Sequence, residues 1–257
     1  MNQRPFAVVA AIIAVFGVVV FATGAVPRAA DDLLFDHISF GVADPARAAA
    51  WYAKNLGATP EGASGVAFGS IHLRFRAATT ARPSAGSVVD HLALAFTSLE
   101  TKVAELQAAG GTPVAPPRDS DGLRAAFVDD PWGIRLEVVQ DERGTGVHHV
   151  HLLATDGAAT AKWLTDSFGG SRAPGPGLQM LKFGALSIAV RQVPRYPGGS
   201  VGDVIDHLAW TTADVDATAA ALKRNGVKFT TEPRTTGNLK MAFVEGPNQL
   251  RVEILQR

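Results

Sequence analysis

Apolar and polar positions alternate in short runs along this chain, and four of the runs share one phrase. They are Phe35-Asp36-His37-Ile38, Val89-Asp90-His91-Leu92, Val147-His148-His149-Val150 and Ile205-Asp206-His207-Leu208. Runs rich in branched and aromatic residues read as strands. A helix is expected after each. In the first unit Asp44 and Pro45 stand where an N-cap and first-turn proline belong, and Gly57 closes the segment. In the second, Thr97-Ser98-Leu99-Glu100 reads as a capping box and Gly110-Gly111 as the stop. Asp156 and Gly169-Gly170 bracket the third helix, and Asp214 and Gly226 the fourth. Strand-like stretches split by turn residues follow each helix, for example Arg124-Ala125-Ala126-Phe127-Val128 and Lys240-Met241-Ala242-Phe243-Val244. The unit is strand, helix, then a strand meander, repeated four times. Units of roughly fifty residues rarely bury enough surface alone, so pairing is expected.

The spacing within the repeats carries chemistry. His91 and Glu137 are 46 residues apart (137 − 91), as are His207 and Glu253 (253 − 207). Each pair is preceded by a further histidine in a matching phrase. Two histidines and a glutamate are what a divalent metal with open coordination positions needs from a protein.

Residues 6–26 form an almost unbroken apolar run with Arg4 in front of it. Its length suits a bilayer span, and it is also compatible with a secretory signal. Small residues follow at Ala22-Thr23-Gly24-Ala25 and Ala29-Ala30. Residues 1–30 are expected to be a signal peptide or membrane anchor, with the remainder periplasmic, extracellular or anchored facing outward. About 225 residues remain beyond it, enough for one large domain or two modest ones. Asp141-Glu142-Arg143-Gly144-Thr145-Gly146 reads as the link between domains at 33–141 and 146–257. Residues 79–87 and 194–202 read as links between units within a pair.

The chain has no cysteine, which excludes a disulfide scaffold and a thiolate metal site. Net charge is zero and no basic stripe appears, so no nucleic-acid partner is expected. There is no G-x-S-x-G elbow, Walker loop or dinucleotide glycine fingerprint.

The repeated Asp-His strand start and the paired endings Asp130-Pro131-Trp132-Gly133-Ile134-Arg135-Leu136-Glu137 and Glu245-Gly246-Pro247-Asn248-Gln249-Leu250-Arg251-Val252-Glu253 resemble the vicinal oxygen chelate superfamily of glyoxalases, bleomycin resistance proteins and extradiol dioxygenases. The resemblance covers roughly residues 33–257. It implies an α+β fold of four βαβββ modules, paired into two half-open eight-stranded barrels. It also implies metal ligands His37, His91 and Glu137 in the first domain and His149, His207 and Glu253 in the second. Imidazoles and a carboxylate suit Fe(II), Mn(II), Zn(II) or Ni(II).

Glyoxalase I uses a fourth ligand. Aligning Ile71-His72-Leu73-Arg74 with Ile134-Arg135-Leu136-Glu137 puts Arg74 at that place, and the matching alignment of the second domain puts Ala189 there. Neither ligates, which favours a three-ligand site of the extradiol dioxygenase kind. Strand alternation puts His72 and Arg74 on one face. Facing the metal, His72 would serve as acid or base and Arg74 would hold an anionic substrate; facing outward, both are solvated strand residues. His151 shares the face of His149, as a partner of the ligands, a ligand itself, or the catalytic base of the second domain, while His148 is expected to face away. Trp51, Tyr52 and Trp163 read as core, and Trp132 and Trp210 as packing or pocket wall. The leading reading is an exported metal-dependent enzyme acting on a small molecule that chelates through vicinal oxygens. The alternatives are a non-catalytic sequestration protein of the bleomycin-resistance type and a metal-stabilised structural module.

Overall fold

The structure, a computed structural model, describes residues 33–120, 123–173 and 178–257. The leader and the glycines at 175 and 177 lie outside the described residues. Among those described, no helix is long and apolar enough to cross a membrane.

Four modules follow one another. The first holds β1 (Leu34–Val42), α1 (Pro45–Leu56), β2 (Thr59–Pro60), β3 (Gly65–Phe68) and β4 (Ile71–Ala77). The second holds β5 (Val89–Phe96), α2 (Leu99–Ala108), β6 (Thr112–Pro113), β7 (Arg118–Ser120), β8 (Leu123–Asp129) and β9 (Arg135–Gln140). The third holds β10 (Gly146–Ala154), α3 (Gly157–Phe168), β11 (Ser171–Ala173), β12 (Gln179–Phe183) and β13 (Leu186–Gln192). The fourth holds β14 (Ile205–Thr212), α4 (Val215–Arg224), β15 (Lys228–Thr236), β16 (Leu239–Glu245) and β17 (Arg251–Gln256).

Three helices start as the sequence predicts. Asp44, Asp156 and Asp214 each accept from backbone N–H groups of the first turn, satisfying donors that have no partner inside the helix. The capping box of the second helix does not form. Ser98 is the N-cap, but its hydroxyl donates to Thr101 Oγ1 at 2.8 Å, and Glu100 instead pairs with Arg124 at 2.5 Å. The helix starts one residue later than the box requires, so Thr101 and not Glu100 stands at the third helical position.

The strands form two large sheets, ordered β15-β16-β17-β14-β1-β4-β3-β2 and β11-β12-β13-β10-β5-β9-β8-β6, with the short β7 added to β8. This is the expected α+β pair of half-open barrels, but the partners are exchanged. In the first sheet β1 runs antiparallel to β14, and in the second β5 runs antiparallel to β10. Module one thus shares a sheet with module four, and module two with module three. The expectation that neighbouring modules share a sheet is overturned. Neighbours pack through helices and loops instead. Trp51 Nε1 donates to Ala109 O at 2.8 Å, Tyr52 hydroxyl to Asp130 Oδ2 at 2.9 Å, and Lys102 Nζ to Asn55 O at 3.0 Å. Thr155 N donates to Asn248 Oδ1 at 3.2 Å, a reach made possible by the left-handed Asn248 (φ 55°). The two links meet each other: Arg82 N donates to Gly202 O at 3.0 Å and Val204 N to Arg82 O at 2.8 Å.

A continuous apolar core runs through all four modules. Tyr52 is fully buried in it, and Trp51, Trp132 and Trp163 pack against it. Trp210 is fully buried among Phe35, Phe168 and Phe183, so it is packing and not pocket wall.

Candidate metal centres

Exchange of the modules regroups the histidines. Convergence of His37 with His91 and Glu137, and of His149 with His207 and Glu253, does not occur. In the first sheet His37 on β1, His207 on β14 and Glu253 on β17 offer ligand atoms that lie within 4.8 Å of one another. In the second sheet His91 on β5 and His149 and His151 on β10 do the same. Glu137 on β9 joins that second group, with Oε2 3.4 Å from both His91 Nε2 and His149 Nε2. All seven residues are buried. The physical reason is register. Antiparallel pairing sets His37 opposite Ala209 and His149 opposite Ala93, so the histidines of two opening strands face each other across one sheet.

The fourth positions fall where the alignment put them. Glu137, Glu253, Arg74 and Ala189 lie opposite Ala93, Ala209, Ser39 and His151, each two residues past its strand's histidine. The two barrels, the four repeated modules and these matched registers define one architecture, and the sequence matches the Glyoxalase/Bleomycin resistance protein/Dioxygenase superfamily over residues 34–138 and 146–254. The chain belongs to this superfamily. Similar solved structures include glyoxalase I from Zea mays, with TM-score 0.69, 19% identity and coverage of 87% of this chain and 92% of that one. A putative dioxygenase from Bacillus subtilis gives TM-score 0.64, 16% identity and coverage of 88% and 85%. At these identities the likeness is one of fold. No curated protein matches the sequence.

Within this superfamily scaffold, three of the four opening-strand histidines carry a carboxylate on their Nδ1 side. Asp90 Oδ1 is 2.5 Å from His91 Nδ1, Asp206 Oδ1 is 2.6 Å from His207 Nδ1, and Asp36 Oδ1 is 3.5 Å from His37 Nδ1. A carboxylate there accepts the Nδ1 proton and turns the Nε2 lone pair inward. The fourth opening strand has His148 at the corresponding place, with its Nδ1 2.8 Å from His149 Nδ1. His148 was expected to face away. A bulge in the β10–β5 pairing between Val147 and His149 breaks strict alternation and brings it alongside.

Two imidazoles of the second sheet are held neutral, as ligation requires, and the third, His91, must give up a proton to bind. Burial pushes His149 well below the usual imidazole value. Burial, with the charges of His91 and Arg191, pushes His151 to about 3. Burial also opposes the charge on His91, but Asp90 and Glu137 overcome it and hold its pKa up. Burial raises Glu137, and His91 and His149 more than offset this, so Glu137 is an anion at neutral pH. His91 Nε2, Glu137 Oε2 and His151 Nε2 are buried without a hydrogen-bond partner. Buried polar atoms are ordinarily satisfied. Glu137 Oε2 and His91 Nε2, orphaned and 3.4 Å apart with His149 Nε2 at the same distance from the carboxylate, fit a metal ion.

The first sheet differs. His72 Nδ1 lies 2.8 Å from Glu61 Oε2, and Arg74 Nη1 lies 3.0 Å from the same oxygen. The two do share a face, and Glu61 engages both. The residue of that face that reaches the histidines is Arg76. Its Nη2 lies 2.7 Å from His207 Nε2, and it also donates to Ser39 Oγ. Sequence reading passed over Arg76, as it did Arg118, Arg135 and Arg191. These three line a cavity of about 370 Å³ beside His91, Glu137 and His151. A signal was available. Arg135 and Arg251 both stand two residues before a ligand-position glutamate, and Arg76 and Arg191 close equivalent strands.

Proposed function

We propose that this chain is an exported, metal-dependent enzyme whose working centre is in the second sheet. Its substrate would be a small anion that chelates through vicinal oxygens. One observation carries the reading: the orphaned atoms of His91, Glu137 and His151 stand against a cavity rimmed by three arginines. Fe(II), Mn(II), Zn(II) or Ni(II) bound there supplies Lewis acidity and open positions for a chelating ligand. The protein's own groups do the rest. Asp90 orients His91. Arg118, Arg135 and Arg191 offer charge-assisted, bidentate hydrogen bonds to a carboxylate or ionised hydroxyl. Arg135 is steadied by Asp129 at 2.9 Å, and Arg118 lies over the Phe127 ring at 5.7 Å. Val114 and Leu153 add apolar wall.

His151, neutral at any pH near 7, suits the role of a fourth donor better than that of a base. It stands directly opposite Ala189, where the scaffold's fourth ligand is missing. His91, His149 and Glu137 alone make the two-imidazole, one-carboxylate set of an extradiol dioxygenase, and that reaction is expected if His151 stays off the ion. The test is elemental analysis of protein purified without chelators, followed by oxygen uptake with a catechol panel. A stoichiometric metal and catechol-dependent uptake are expected. Absence of metal overturns the enzyme reading and favours sequestration, and metal without turnover of any chelating substrate favours a metal-stabilised structural module.

Export rests on residues 6–26. A chain lacking residues 1–30 is expected to be soluble and folded with the metal content of the full chain. Aggregation of the truncated chain under conditions where the full chain folds would count against an independent leader.

A further inference from the structure

Arg76 and Arg191 occupy one position in the pseudo-symmetric fold. Arg76 on β4 lies opposite Gly41, four residues past His37. Arg191 on β13 lies opposite Leu153, four residues past His149. Their surroundings differ at the residue two past each histidine. In the first sheet this is Ser39. Its hydroxyl accepts from Arg76 Nε at 2.9 Å and Nη2 at 2.7 Å, which draws the guanidinium over the histidines. Arg76 Nη2 then lies 2.7 Å from His207 Nε2 and 3.1 Å from Nδ1. Glu253 Oε2 lies 3.2 Å from His207 Nε2 and 3.6 Å from His37 Nε2. In the second sheet the same place holds His151, whose ring centroid is 4.4 Å from that of His91. The imidazole fills the space, and Arg191 lines the cavity instead.

We propose that the Arg76 guanidinium takes the place of a metal ion among His37, His207 and Glu253, so that the chain binds a single divalent ion, in the second sheet. The second half of this statement rests on the proposed function; the first does not. A metal on His207 Nε2 sits about 2.0–2.1 Å from it. A fixed cation already 2.7 Å from that atom repels a divalent ion approaching it. Arginine cannot resolve the conflict by losing its proton. It also compensates Glu253, the only carboxylate in the trio. His207 Nε2 and Glu253 Oε2 are accordingly hydrogen-bonded, whereas their counterparts His91 Nε2 and Glu137 Oε2 are orphaned.

The test is titration of the full chain with Mn(II), counting bound ions per chain. Wild type is expected to bind one. Arg76→Ala and Arg76→Gln are expected to bind two, and Arg76→Ala combined with His207→Ala to return to one. Arg76 is exposed at the end of its strand, and thermal melts are run to check that the variants fold. Two ions in the wild type, or no gain in either Arg76 variant, overturns the proposal. No ion in the wild type with one in Arg76→Ala upholds the guanidinium's role and overturns the metal reading of the second sheet. No ion in either overturns both.

Discussion

Replacing His91 by alanine is expected to strip the chain of its metal. His91 belongs to both donor trios of the second sheet, His91/His149/Glu137 and His91/His149/His151. Removing it takes away the β5 donor and breaks both trios, leaving two of the three remaining donors, His149 and His151, on the single strand β10. Loss of a residue that merely orients a ligand costs 10–100-fold in affinity. Loss of the shared ligand is expected to exceed about 100-fold on the same scale. Glu137→Ala should behave differently. Three imidazoles remain, all neutral or made neutral by binding, so an ion is retained but the preference moves from Fe(II) and Mn(II) toward Zn(II), since carboxylate is the ligand that suits the harder ions. His207→Ala, in the first sheet, is expected to leave metal content unchanged. Elemental analysis of the four proteins after equal exposure to mixed metals checks all of this. Retention of wild-type metal by His91→Ala, or its loss in His207→Ala, would sink the assignment.

The repeat was legible because a strand-start phrase, an N-cap aspartate and a closing glycine recur at matched places. Each of those signals is local. Which module shares a sheet with which is not local. Phe35-Asp36-His37-Ile38 and Ile205-Asp206-His207-Leu208 are as alike as either is to Val89-Asp90-His91-Leu92, so the pattern cannot choose partners. The choice is made by packing. The Trp51–Trp132 edge contact and the buried Tyr52–Asp130 hydrogen bond join modules one and two through their helices and loops. That leaves the β1 edge to pair with β14. All six residues marked as ligands sit in the two clusters, but sorted differently, because a 46-residue spacing fixes the His–Glu pair within a module and says nothing about the histidine facing it. Glu137 does accompany His91, and Glu253 does accompany His207.

Side-chain reach was the other blind spot. Alternation put His72 and Arg74 on one face, as the structure has it, yet only contacts reveal that Glu61 holds both while Ser39 steers Arg76, the next residue along that face. The same limit hid His148, because a bulge cannot be read from a two-residue period. Roles for His72 and Arg74 in acid–base work or anion holding would require them to leave Glu61.

Asp130→Asn is expected to gain stability relative to wild type as pH rises from 5 to 7. Asp130 is buried at the junction of modules one and two. It accepts from Trp132 N at 2.9 Å, Ile134 N at 2.8 Å and the Tyr52 hydroxyl at 2.9 Å. Burial penalises its charge more than these donors favour it, and its pKa is raised to about 7. An unfolded aspartate titrates near 3.9. Between those values the folded chain holds a proton that the unfolded chain has released. The stabilisation is therefore complete below about pH 4 and is lost as pH rises through 7, at about 1.4 kcal/mol per pH unit. Asparagine is neutral throughout. Its oxygen can accept from the two backbone donors and its amide can donate to Tyr52. The difference in unfolding free energy between Asp130→Asn and wild type should thus grow in the variant's favour by roughly 3 kcal/mol from pH 5 to 7.5. Urea melts across that range measure it, and other titrating groups cancel in the difference. Parallel curves for the two proteins would mean that the hydrogen bonds keep Asp130 ionised at pH 5 and that burial does not dominate at this junction.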